Sequence, residues 1–259
     1  MHRLTTCCFL LILTTQAWAI SNIESERPNL PEMGLDASLK LGLDGKTGND
    51  EEADYSGSTK LVYRFDNEVL LFIAEKEYGS TRDIKDTNNA FAHGRWSHLL
   101  DQFWMVETFA QWEQDEFDNI NSRVLLGGGG RYLLRHKPDV YSFTLGFGAF
   151  HEQEKLNLVS YQQTDNFWRL NTFYTYKYQM NKQVSLINTT YVQPRVDDFS
   201  DLRVLFDFGL KVSITDSLAL KLAYKLTYDS DPAQNFDIDP PIDNYKTNTE
   251  YQTSLEYTF

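Results

Sequence analysis

The sequence predicts an all-β protein, a transmembrane antiparallel up-and-down β-barrel of about twelve strands behind a cleaved signal peptide. Three observations carry this: a secretory N-terminus, period-two hydrophobic alternation over most of the chain, and connectors that alternate between short turns and longer acidic stretches.

The N-terminus comes first. Met1, His2 and Arg3 form a short positive start, an apolar run follows from Leu4 to Thr15, and Ala17-Trp18-Ala19 supplies a small-x-small cleavage site. This is the secretory pattern, with residues 1–19 as the signal peptide, and its apolar core is too short to span a bilayer as a helix. Both cysteines, Cys7 and Cys8, lie inside it, so disulfides and thiolate chemistry are excluded from residues 20–259. Residues 20–33 carry Pro28 and Pro31 and read as a periplasmic lead-in, with the barrel over 34–259.

The strands follow. Leu35, Ala37, Leu39, Leu41 and Leu43 alternate with polar residues, as do Val204 to Ile214, Leu218 to Tyr228 and Tyr245 to Phe259. A helix would need apolar spacings of three and four, which these runs lack. The pattern places strands near 34–43, 55–65, 69–78, 90–97, 103–112, 123–134, 140–150, 166–179, 184–192, 202–214, 218–228 and 245–259. Leu70-Leu71-Phe72-Ile73 is apolar on both faces, which leaves the parity of the third strand open. Short connectors fall at Asp66 to Glu68, His98 to Gln102, Arg135 to Asp139, Met180 to Gln183 and Thr215 to Ser217. Long ones are expected near 44–54, 79–89, 113–122, 151–165, 193–201 and 229–244. An even strand count puts both termini on the short-turn, periplasmic side.

Composition agrees and excludes. Fifteen Tyr and 17 Phe against 7 Pro suit long strands. Mean hydropathy is −0.47; this is compatible with a barrel, which exposes only alternate residues to lipid. Removing residues 1–19 takes away Arg3 alone among the charged residues, moving the formal charge from −13 to −14. Nucleic-acid binding is excluded at that charge.

The inward parity carries Lys40, Lys60, Arg64, Arg123, Arg131, Arg203, Asp207, Lys211, Lys221, Lys225, Glu250 and Glu256 as lumen candidates. Such charges either steer ions and solutes or fill the interior with salt bridges, and twelve strands lie between the filled and open regimes. Gly127 and Gly129 fall on this face, leaving either open space or room for an opposing side chain. Tyr251, Leu255, Tyr257 and Phe259 share the outward parity and resemble the assembly signal read by the barrel-assembly machinery. The acidic loops, with Asp50, Glu51, Glu52 and Asp54, then Glu113, Asp115, Glu116 and Asp118, then Asp229, Asp231, Asp237, Asp239 and Asp243, read as a solvated outer surface. Divalent-cation binding is the functional alternative there, but no EF-hand pattern is present. Four histidines follow the signal (His93, His98, His136, His151), with no H-E-x-x-H and no G-x-S-x-G, so neither catalytic nor metal-ligating residues are assigned and no cofactor is expected.

Three stretches carry a family resemblance. Leu39 to Asn49 reads LKLGLDGKTGN; Phe103 to Tyr132 reads FWMVETFAQWEQDEFDNINSRVLLGGGGRY; the chain ends in TSLEYTF after an acidic, proline-bearing loop. The most specific part is E-x-D-x-F from Glu113, then Arg123, the glycine run and Tyr132. Together these resemble the salt-induced outer membrane protein family, over nearly the whole of residues 20–259. The run Gly127 to Gly130 departs from the family, which varies small residues there. The resemblance implies an outer-membrane barrel of unassigned activity and no catalytic residues. The sequence therefore points to a non-enzymatic barrel in the cell outer membrane, either a narrow channel for small polar solutes or ions or an envelope-stress protein. The alternative is a structural or interaction barrel whose acidic loops engage divalent cations, lipopolysaccharide or a partner. Expected partners are outer-membrane lipid, lipopolysaccharide and the assembly machinery; the sequence leaves the oligomeric state open.

Overall fold

In the computed structural model, the described residues are 22–27, 30–48, 51–117, 119–137, 140–157, 162–215, 218–232, 234–235, 242–243 and 245–257. They form an all-β, antiparallel up-and-down barrel fold of twelve long strands, and none of them is helical. The strands are β1 (Gly34–Lys46), β2 (Glu52–Phe65), β3 (Glu68–Thr81), β4 (Ile84–Leu99), β5 (Trp104–Asp115), β6 (Ile120–Lys137), β7 (Tyr141–Asn157), β8 (Gln162–Gln179), β9 (Val184–Pro194), β10 (Leu202–Ser213) and β11 (Leu218–Asp229). A two-residue pair, β12 (Gln234–Asn235) with β13 (Ile242–Asp243), interrupts the next connector before the last long strand, β14 (Thr247–Tyr257). Each strand of the main sheet pairs with its neighbour in sequence, in the order β1 to β11 and then β14. Among the described residues no ladder joins the two edges, β1 and β14, and β1 is exposed along nearly its whole length.

The strands run further than the apolar alternation suggested. The expected long loop over 79–89 is a tight hairpin: β3 and β4 are separated only by Arg82 and Asp83, both with positive φ (52° and 60°). That is the geometry of a two-residue I′ turn, which matches strand twist. Only four residues part β5 from β6, with Asn119 at φ 59°. Backbone pairing continues through polar stretches because the ladder needs no apolar side chain. The marked contrast in connector length therefore reduces to residues 195–201 and 230–246, while the other connectors of that end cap protruding hairpins.

One face of the sheet is apolar and exposed, with Leu41, Phe72, Trp96, Phe147, Trp168 and Tyr251 standing outward. The opposite face is buried and carries charge. The third strand resolves accordingly: Val69, Leu71 and Ile73 are buried inward, whereas Leu70 and Phe72 face out. Of the proposed assembly signal, Tyr251 is exposed, Leu255 and Tyr257 hold their β14 ladder positions, and Phe259 lies outside the described residues. The signal peptide, 1–19, also lies outside them.

Candidate functional site

The buried face is built by parity. Successive side chains of a strand point to opposite faces, so His93, Arg95 and Ser97 on β4, Glu107, Gln111 and Glu113 on β5, and Arg123 and Arg131 on β6 all turn the same way, and all are buried. They sort into two ionic layers along the strands.

The layer nearer the 100–103 turn is completed from outside the sheet. Residues 22–27 lie against the inner face, and Glu24 is fully buried there with Arg27 close behind it. The Glu24 carboxylate accepts from Arg131, from Arg95 Nη1 at 3.2 Å and from Arg27 Nη1 at 3.2 Å. Arg27 also donates to both carboxylate oxygens of Glu107, at 3.0 Å to Oε2, and to Ser97 Oγ at 3.0 Å. Arg95 Nη1 reaches the same Glu107 at 3.1 Å. Burial alone would push the Glu24 carboxyl upward, but Arg131, Arg27 and Arg95 outweigh it and hold the pKa at about 2. Arg27 is held above its ordinary value: burial opposes its charge, but Glu107 and Glu24 prevail. Beside these charges, Ile23 packs into an apolar patch with Val62, Val69, Leu71 and Met105. Lys60 Nζ donates to the Glu26 carbonyl at 3.3 Å, Arg64 Nη1 to the Pro31 carbonyl at 2.7 Å, and Lys177 Nζ to the Arg27 carbonyl at 2.7 Å. The segment expected as a periplasmic lead-in thus lies against the inner face, held from β2, β4, β5, β6 and β8.

The second layer lies toward the hairpin end. Glu152 is fully buried and binds Arg123 (2.5 Å), Arg203 (2.6 Å) and Arg169 (2.8 Å). Arg123 also binds Glu113 at 2.6 Å, Arg169 binds Asp201 at 2.9 Å, and Arg203 binds Asp229 at 2.8 Å. This corrects the reading of the acidic stretches as wholly solvated: Glu113 and Asp115 are buried inner residues of β5, and Asp229 is engaged by an arginine. Asp50, Asp118, Asp237 and Asp239 lie outside the described residues.

Of the lumen candidates, Arg123, Arg131 and Arg203 are the anchors of these layers. Lys60 and Arg64 hold the backbone at Glu26 and Pro31. Lys225 lies 3.6 Å from Glu250 and opposite Asp207 in the β10–β11 ladder, and Lys211 lies opposite Lys221. Lys40 is exposed on β1, and the Glu256 side chain is outside the described set. Sequence reasoning missed Glu24, Arg27, Arg95, Glu107, Glu152, Glu154 and Arg169. The spacing of Glu107, Gln111, Glu113 and Asp115, all odd-numbered on one strand, was a usable signal for β5. Gly127 lets Phe150 and Phe109 close over it, with their atoms 2.6 and 2.8 Å from where a Cβ would stand, so the space is filled by opposing side chains. Among the described residues no group of histidine, cysteine and carboxylate side chains is arranged to hold a metal ion.

No curated protein matches the chain in sequence. Among solved structures, the porin NanC superposes with a TM-score of 0.49 at 14% identity, covering 85% of this chain and 100% of that one. The translocator domain of the autotransporter NalP from Neisseria meningitidis gives 0.49 at 8% identity, covering 87% of each. Residues 39–259 match the family described as "Protein of unknown function, DUF481", and the chain belongs to that family.

Proposed function

We propose that the protein is a non-enzymatic outer-membrane barrel whose lumen is closed by its own N-terminal segment, and that it conducts small polar solutes or ions only when that segment withdraws. The supporting observation is the burial of Glu24 and Arg27 within the ion-pair layer of Arg95, Glu107 and Arg131. Two carboxylates and three guanidiniums fill the interior where a pore would need water. The outward apolar face suits lipid, and the short-turn end would face the periplasm. Lipid, lipopolysaccharide and the assembly machinery are the partners this reading entails.

The test is single-channel conductance of refolded protein in planar bilayers. The unaltered chain should be silent or show rare openings. The double variant Glu24→Gln, Arg27→Gln should conduct steadily. Steady conductance by the unaltered chain would refute the plug, and silence of both would favour the structural or interaction barrel.

A further inference from the structure

The Glu24 layer is assembled from two sources. Arg95, Glu107 and Arg131 are buried inner residues of β4, β5 and β6, fixed there by strand parity. Glu24 and Arg27 come from the segment laid against them. That segment adds one carboxylate and one guanidinium, so its arrival leaves the net charge of the layer unchanged. Among the described residues of the layer, the wall's two guanidiniums and one carboxylate keep one positive charge in excess. Half-buried Lys177 of β8 adds a further cation at the edge, where it donates to the Arg27 carbonyl. A buried cation without a counter-charge is costly, so the wall by itself favours an anion.

The way Glu24 meets that wall is informative. One of its oxygens accepts from Arg131 Nη1, and the other accepts from Arg95 Nη1 at 3.2 Å and from Arg27 Nη1 at 3.2 Å. Arg131 Nη2 is buried and has no hydrogen-bond partner among the described residues. A guanidinium favours two parallel N–H···O bonds to one carboxylate, and here only half of that fork is used. Glu24 is tied to its backbone and shared with Arg27 and Arg95, and it meets the fork with a single oxygen. A carboxylate free of the chain is under no such restraint and can take both nitrogens.

We infer that Arg95 and Arg131 form a binding site for the carboxylate of a small solute, and that Glu24 fills this site as an intramolecular surrogate. The site stands on the geometry of the wall. Its consequence for passage rests on the plugged-barrel reading: a carboxylate-bearing solute takes the place of Glu24, unseats the segment and opens the lumen to itself. The solute class is then narrower than polar solutes at large, because the arginine fork matches carboxylate geometry and offers nothing to a cation.

The probe is acetate, with its neutral isostere acetamide and with chloride at equal ionic strength as controls. Full-length, refolded Glu24→Gln keeps the wall and lacks the surrogate. Calorimetry should show that it binds acetate saturably, at least about tenfold more tightly than the unaltered chain, since a tethered competitor is gone. Acetamide should not bind, and chloride should bind more weakly than acetate. Adding Arg131→Lys should weaken acetate binding about tenfold, because the charge stays and the fork is lost. Adding Lys85→Gln instead, at the hairpin end of β4, should change nothing. Heat-modifiable migration reports that each variant is folded. If Glu24→Gln does not fold, the unaltered barrel decides: acetate should speed proteolysis within residues 22–33, and acetamide or chloride should not. No saturable acetate binding by folded Glu24→Gln, equal binding by the unaltered chain, or chloride as effective as acetate would overturn the inference, as would proteolysis of the unaltered barrel that is indifferent to acetate. Acetate binding as expected, in a barrel whose unaltered form conducts steadily without acetate, would overturn the plug alone.

Discussion

Glu24 shows how one residue outside any strand controls the interior. It is the common acceptor for three guanidiniums, and removing its charge leaves those cations buried against an amide. Breaking a buried pair in this way costs about 3–5 kcal/mol, so Glu24→Gln should lower the unfolding midpoint in urea and expose residues 22–33 to protease. The pH dependence has a definite sign. Its carboxyl is depressed from 4.5 to about 2 in the folded protein, so its contribution is complete above pH 4.5 and is lost as pH falls through about 2. Protease protection of the N-terminal segment should persist at pH 5 and weaken toward pH 2; protection that is flat over this window would contradict the assignment. Arg123, Arg131 and Arg203 were legible in the sequence because strand parity points them inward. Glu24 and Arg27 were not. They sit in a short stretch without periodicity, and their partners Glu107 and Arg131 are 80 and 107 residues away.

Strand β3 explains a limit of reading by alternation. Its inner residues Val69, Leu71 and Ile73 are apolar because Ile23 of the plug packs on them, so both faces of the strand are apolar and parity disappears. The hairpin ends were misjudged for a related reason. Their ladders join polar residues, as in Glu77 opposite Asn89 and Ser80 opposite Lys85, and hydrophobic patterning is silent there. In the β6–β7 pair the inward parity of Gly127 and Gly129 was legible, and the close approach of the two strands was not. At Gly129 a Cβ would fall on the Phe147 carbonyl oxygen and close to the Gly148 backbone. Backbone cannot yield as a side-chain tip can, so Gly129→Ala should destabilise the barrel by at least the ~1–3 kcal/mol typical of overpacking. The check is the temperature at which the folded form is lost in a heat-modifiability gel. A variant with an unchanged transition would show that the two strands can part.

For the whole molecule, length matters most. Strands β6 and β8 have 18 residues each, roughly 60 Å at ~3.3 Å per residue, and even tilted by ~45° they exceed an apolar band ~25 Å tall. The excess belongs to the hairpin end, so a cysteine at Glu51 or Glu116 should be labelled on intact cells while one at Asn67 stays protected; the reverse result would invert the topology. The position of the plug also has a consequence for assembly. Residues 22–27 lie against strands from β2 to β8 and precede β1, and a seam between β1 and β14 would join the two long strands most distant in sequence. Pairing across so long a separation is intrinsically slow. The ion pairs to β4, β5 and β6 span shorter separations and can form first, holding the start of β1 inside the curl of the sheet. On this account the N-terminal segment is expected to act as a tether, an internal template that would bring one edge round to the other before a seam forms. Loosening it should slow the appearance of the heat-modifiable form in a refolding time course, so that the segment proposed to block passage would also set the pace at which the barrel is made.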